Sequence, residues 1–352
     1  MLSRVADSIY WMARYMERAE NLARLLNANQ SLMLDAGAQQ EGADFWGPIL
    51  MATGDEEGYH RLYAEPCAAH IAEYLTVLPD NPNSIVNCIR SARENARMIR
   101  DQITDEMWRS VNDLYLFVTT DKGRQLYEQS PADFCEQITQ GSGLFQGAAR
   151  ATMMRDVCWH FLQIGTYLER ADKTSRLVDT CSGVPLVTPP HPDAQPLRWL
   201  SLLHSLSAYH GYREHDNQLN PRSVLEFLFL SDRFARSVRF CTREVDRSLR
   251  SLLTPPGAPK EHDPLRASGR LCASLDYGTI DEIIDFGLHA YIDDLQTRLN
   301  ALGNDIFETF VLYADLAAAN PPATVRPESV GAWHAFQNTQ DLQVQQQQQQ
   351  QQ

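Results

Sequence analysis

One thirteen-residue pattern occurs twice in this chain, 152 residues apart: Tyr15–Asn27 reads YMERAENLARLLN and Tyr167–Asp179 reads YLERADKTSRLVD. Around each copy runs an apolar seam at alternating steps of three and four residues. In the first it is Leu2, Val5, Ile9, Met12, Met16, Ala19, Ala23 and Leu26; the positions 152 later are Met154, Val157, Phe161, Ile164, Leu168, Ala171, Ser175 and Val178. Such spacing keeps side chains on one face of an α-helix and disagrees with the two-residue period of a strand. A seam that occurs twice predicts two long, related helices.

The rest of the chain follows the same period. Amphipathic stretches are expected at Leu2–Leu34, Ser84–Ile103, Asp105–Thr119, Gly143–Cys181, Leu197–His210, Arg222–Leu253 and Thr279–Ala319. Loops are marked by Pro79–Pro82, Val184–Pro196, Thr254–Pro264 and the pair Pro321, Pro322. The reading is an all-α multi-helix bundle spanning 1–320, built from two related halves, about 1–150 and 151–320, around a pseudo-two-fold. The glutamine run within 326–352 has no apolar residues to bury and reads as a disordered tail.

A second stripe on the first helix, Trp11, Tyr15, Arg18, Leu22 and Leu25, carries a single charge. A helix apolar on two sides is largely enclosed, so Arg18, and by the repeat Arg170, requires a buried carboxylate. The adjacent Glu17 and Glu169 point about 100° away on their own helix. The symmetric solution is a cross-pairing of Arg18 with Glu169 and of Arg170 with Glu17. Glu20 with Arg24, and Asp172 with Arg176, are i,i+4 pairs within one helix.

Basic residues also gather in stripes. Arg90, Arg93, Arg97 and Arg100 form one; Arg236, Arg239, Arg243, Arg247 and Arg250 form another, read as a partner-binding face. The formal net charge is −14, from 45 acidic and 31 basic side chains, which repels a polyanion and disfavours nucleic acid as partner. The acids concentrate in Leu25–Ile89 and Asp276–Ala319, nine in each against one Arg, so the remaining surface suits an acidic partner. No apolar run approaches the roughly 18 residues of a membrane helix. The N-terminus, cut by Arg4, Asp7 and Arg14, lacks a signal-peptide core, and the seven cysteines are widely spaced with no CxxC pair, so a cytoplasmic protein is expected.

Other site signals are weak. Glu57 with His60 stands alone where a di-iron bundle needs two such pairs, so no metal site is expected. GSGLFQG at Gly141–Gly147 follows no strand and reads as the entry to the second long helix, not as a dinucleotide loop. With no phosphate-binding loop and no GxSxG elbow, no cofactor is expected on this chain.

Three stretches in order carry a resemblance: LSRVADSIYWMARYMERAENLARLL; SIVNCIRSARENARMIRDQITDEMWRSVN at Ser84–Asn112; and MMRDVCWHFLQIGTYLERADKTSRLVD at Met153–Asp179. They resemble the bacterial Alpha-E family, helical proteins named for a Glu-Arg motif. The resemblance covers Glu17, Arg18, Glu20, Arg24, Arg93, Arg97, Arg155, Asp156, Glu169, Arg170 and Arg176; in FLFLSDRFARSVRFC, at Phe227–Cys241, the family pattern has Pro where this chain has Ala235. It implies a domain that works beside circularly permuted ATP-grasp proteins resembling peptide ligases, with transglutaminase-like proteases in the same pathway.

Three functional readings follow. In the first, the chain is a non-catalytic helical partner of an ATP-grasp amide ligase or its anionic peptide substrate, the Glu-Arg motifs organise the core, and Arg236, Arg239, Arg243 and Arg247 meet the partner. In the second, Glu17, Arg18, Glu169 and Arg170 line an enzymatic cleft together with Arg155 and Asp156. A pure scaffold is the third. Burial of Glu17 and Glu169 separates them.

Overall fold

Helix starts are set by short polar side chains that accept the otherwise orphaned first-turn N–H groups. In the computed structural model, which describes residues 3–36, 43–182, 194–253 and 263–312, Thr104 accepts from Met107 N (3.3 Å), Asp156 from Trp159 N (3.2 Å) and Asp263 from Leu265 N (3.1 Å). Proline at the first helical position follows the caps Ser130, Asn220 and Asp263, where its missing N–H is no loss. Thr279 and Glu282 close a reciprocal capping box.

The described residues form sixteen helices and no strand. In the first half these are α1 (Ser3–Ala36), α2 (Ala43–Thr53), α3 (Glu56–His60), α4 (Ala68–Thr76), α5 (Ile85–Met98), α6 (Asp105–Thr119), α7 (Asp121–Gln129) and α8 (Pro131–Thr152). Then come α9 (Val157–Asp179), α10 (Ala194–Ser205), α11 (Tyr209–His215), α12 (Pro221–Leu230), α13 (Val238–Leu253), α14 (Pro264–Tyr277), α15 (Ile280–Phe286) and α16 (Leu288–Phe307), and a π-helical turn at Glu308–Leu312. They belong to one unit, Met1–Ala314. The glutamine-rich segment, 326–352, lies outside the described residues.

The two helices that carry the repeat pack against each other at the centre: α1 touches α5, α8, α9 and α10, while α9 touches α1, α13 and α16. Their seams are buried at Ile9, Met12, Met16, Ala19, Ala23 and Leu26 and at Phe161, Ile164, Leu168, Ala171, Ser175 and Val178. The close approach depends on Gly165. A Cβ there would run into the Tyr10 carbonyl oxygen and sit 3.0 Å from the Ala13 methyl. Gly165→Ala is therefore expected to destabilise by about 1–3 kcal/mol through overpacking, against a helix-propensity gain of about 1 kcal/mol. Urea unfolding checks it, and a raised midpoint, the propensity gain with no overpacking cost, contradicts the tight crossing.

Several expected helices are broken differently. The stretch Gly143–Cys181 is not continuous: α8 ends at Thr152, Met153 is extended, and α9 starts only after its cap Asp156. The second seam accordingly begins late, with Met154 and Val157 exposed. GSGLFQG is no helix entry but lies inside α8. Arg222–Leu253 divides at Ser231–Ser237, where the Ser231 hydroxyl accepts from Arg233 N and Phe234 N and Ser237 Oγ donates to the Ser231 carbonyl. The turn forms with Ala235 in place of the family's Pro. Thr279–Ala319 divides at Gly287, whose φ of 95° favours glycine.

Candidate functional site

The four motif residues meet crosswise between α1 and α9. Arg18 donates to Glu169 through Nε (2.7 Å) and Nη2 (3.2 Å); Arg170 donates to Glu17 through Nε (2.9 Å) and Nη2 (2.8 Å). Each is a two-point fork on a carboxylate carried by the other helix. Glu17 is 1 % exposed and Glu169 0 %. The cross-pairing expected from the repeat is thus the arrangement found.

Each carboxylate also has a second guanidinium. Arg14, one turn before Arg18, donates from Nε to Glu169 (2.6 Å) and from Nη1 to the Tyr10 hydroxyl (2.8 Å). Arg236 donates from Nη1 to Glu17 (2.7 Å) and Asn21 (2.8 Å) and from Nη2 to Glu20 (2.5 Å). Burial by itself raises a carboxyl's pKa, but Arg170 and Arg236 beside Glu17, and Arg18 and Arg14 beside Glu169, override it and hold both well below the usual carboxylate range.

The surroundings complete the satisfaction. Glu20 receives Arg24 Nε (2.9 Å), Ser142 Oγ (2.7 Å) and Gln146 Nε2 (2.8 Å), so the GSGLFQG segment serves the cluster through its serine and glutamine. Asp172 receives Arg176 Nε (3.0 Å) and lies 3.5 Å from Lys173 Nζ. Arg18 Nη1 donates to Asn83 Oδ1 (2.6 Å), whose Nδ2 donates to Asp55 Oδ1 (2.8 Å).

The structure thus gathers Glu17, Arg18, Glu20, Arg24, Glu169, Arg170, Asp172 and Arg176. It leaves out four expected members. Arg93 packs its guanidinium 4.9 Å from the Tyr115 ring centroid and bonds Glu94, as does Arg97. Arg155 stacks 3.5 Å from the Trp159 ring centroid, and Asp156 caps α9; both are exposed, so no cleft ringed by them and the Glu-Arg motifs forms. Arg236 needs the opposite correction. It was expected on the partner-binding face, but α13 begins only at Val238, so Arg236 lies in the preceding turn and points into the core, 7 % exposed.

Of the rest of that stripe, Arg243, Arg247 and Arg250 border an open groove of about 510 Å³ between α13 and α14. Arg239 and Arg243 both bond Asp276, at 2.8 Å each, while Arg247 bonds Glu244 (2.5 Å) and Arg250 bonds Asp246 (2.6 Å). Arg247 and Arg250 keep most of their side chains in solvent, 73 % and 63 % exposed, and Tyr277 stands beside them at 87 %.

Among the described residues no group of three His, Cys, Asp or Glu is placed to hold a metal, and no helix is long and apolar enough to cross a membrane. None of the seven cysteines is in a disulfide, and all but Cys67 are buried; burial pushes the Cys88 and Cys241 thiols up to about 12.

Residues 1–311 match a family described as a predicted alpha-helical domain with a conserved ER motif, present here at Glu17–Arg18 and Glu169–Arg170. Similar proteins include uncharacterised proteins of Mycobacterium bovis and Mycobacterium tuberculosis, each 26 % identical over an alignment of 323 positions that covers 86 % of this chain. The chain spans 36 % of the length of those relatives. No solved structure matches.

Proposed function

We propose that this chain, which belongs to the Alpha-E family, is a non-catalytic helical module that holds the acidic surface of an ATP-grasp amide ligase, or the ligase's anionic peptide substrate, in a peptide-synthesis or peptide-tagging pathway. The observation that carries the reading is the α13–α14 groove, where Arg243, Arg247 and Arg250 border an open space beside an exposed tyrosine. Arginine and aromatic side chains in one recess are the usual anchors of a protein interface. The ligase itself is the partner that the family resemblance implies, and a transglutaminase-like protease of the same pathway is a second.

The Glu-Arg motifs support the non-catalytic side. A general base needs a lone pair within reach of a substrate proton, and both carboxylates are enclosed and engaged by two guanidiniums each. The relatives carry the matched region within chains almost three times as long, which suits a module whose work is done with other domains. We place the module in the cytoplasm, where unpaired thiols persist.

The test is purification of the native complex, with ATP-dependent amide formation measured with and without this chain. Arg247→Glu combined with Arg250→Glu should change stability by no more than about 1 kcal/mol, since both side chains are mostly exposed. It should weaken partner capture at least tenfold, and undiminished co-purification would sink the groove as the docking surface.

A further inference from the structure

The α13–α14 groove has a direction and a floor. Its two helices run antiparallel, since Arg239 and Arg243 bond Asp276 at one end while Asp246 accepts from Ser268 Oγ (2.8 Å) toward the other. The lining falls at i, i+3, i+4 and i+7 on both, from Arg243 to Arg250 on α13 and from Gly269 to Asp276 on α14. The space therefore follows the helix axes for two turns, about 10 Å at 1.5 Å per residue. Gly269 is the informative position. It stands inside α14, where glycine costs helix propensity, yet the chain's own packing does not require it: a Cβ there would meet only Arg250 Nη2, at 3.9 Å. With the exposed Ala273 one turn on, it leaves a floor that another backbone can approach closely.

Charge sets the sign of what approaches. In a chain of net charge −14, α13 and α14 carry six arginines against three acids. The two aspartates of the lining are engaged, Asp276 by Arg239 and Arg243 and Asp246 by Arg250 and Ser268. Of five N–H groups on each guanidinium, Arg243 gives only Nε to Asp276 and Arg247 only Nη1 to Glu244. The Arg247–Glu244 pair, within one helix and mostly in solvent, is weak enough to be exchanged for a partner's carboxylate. A small molecule would be left largely in water here, because arginines that are 73 % and 63 % exposed do not enclose it as a ligand pocket does. An extended peptide needs a strand edge to pair its backbone, and the described residues contain no strand. A helix satisfies its own backbone.

Taking the groove as the docking surface, on which the assignment rests, we infer that its occupant is an acidic amphipathic α-helix of the partner protein. The helix lies along the floor at Gly269 and Ala273, and carboxylates at i, i+4 and i+7 on it meet Arg243, Arg247 and Arg250, which have the same spacing. Tyr277, 87 % exposed, closes one end against its apolar side.

The experiment titrates the full chain into three fluorescein-labelled peptides of about 18 residues, long enough to form isolated helices, and reads anisotropy at low and high salt. The first peptide carries Glu at i, i+4, i+7 and i+11 beside a stripe of Ala and Leu. The second has the same composition with the glutamates spread around the helix, and the third is the first broken by two central prolines. Saturable, salt-weakened binding of the first is expected, with the other two at least tenfold weaker. Gly269→Leu should weaken the first peptide at least tenfold by filling the floor, with no fall in its own urea midpoint; Ala273→Leu repeats the test if that variant does not fold. No saturable binding of the first peptide, equal binding of all three, or binding unchanged in the folded floor variant overturns the assignment. A dimer of this chain that Gly269→Leu dissociates also overturns it, giving the groove to a second copy. Native-complex capture lost in Arg247→Glu with Arg250→Glu but kept in Gly269→Leu would remove the helix and leave the docking surface standing, whereas capture untouched by either removes both.

Discussion

Glu169→Gln is expected to destabilise the fold by about 3–5 kcal/mol, the range for stranding a charge by removing one partner of a buried pair. Arg18→Met should cost less, about 2 kcal/mol, the range for a lost hydrogen bond to a charged group. The asymmetry follows from the count of partners. Without Arg18, Glu169 keeps Arg14 at 2.6 Å and remains neutralised; without Glu169, Arg14 and Arg18 both face the interior with no carboxylate between them. The same ordering holds for the other cluster, where Arg236 protects Glu17 against loss of Arg170. Urea unfolding of the variants measures it, with the midpoint as readout where the slope is unchanged. A larger loss for Arg18→Met than for Glu169→Gln would show that the second guanidinium does not act as a reserve.

That ordering is not readable from the sequence, although the crossed pairs are. The repeat makes Arg18 and Arg170 equivalent, the second stripe encloses them, and helix geometry turns each neighbouring glutamate away, leaving the opposite helix as the source of a counter-charge. Arg14, four residues before Arg18 on one face, was open to the same spacing argument but lies outside the stripe as counted. Arg236 was not, because a stripe counted by residue spacing presupposes that the helix has already begun, and the chain is still in a turn at that position. Asp55 and Asn83 come from irregular segments between helices, where no periodicity tells which way a side chain points. Arg155 and Asp156 came from the resemblance alone, and a motif match does not show that they stand between the end of one helix and the cap of the next.

Acid is expected to unfold the chain by way of the same carboxylates. In the unfolded chain Glu17 and Glu169 titrate near the ordinary value of 4.5, and in the fold both lie well below it. Between these limits the unfolded chain holds more protons than the native one, so protonation favours unfolding. The stability they confer is therefore complete above about pH 5 and is lost as the pH falls toward the folded values. Each enclosed glutamate thus adds stability at neutral pH that acid removes. Asp55 works in the opposite direction, since burial raises its pKa and acid relieves its charge; His289, raised by Asp179, stabilises most below its ordinary 6.5 and is mostly exposed. Neither reverses the trend set by two enclosed glutamates. Urea midpoints measured from pH 7 to pH 3 should fall steeply in the wild-type chain, whereas Glu17→Gln should start lower at pH 7 and show a shallower decline. The two curves should converge at low pH, where the wild-type glutamate has lost its charge as well; curves that stay parallel over the whole range would place the acid-sensitive groups elsewhere in the fold.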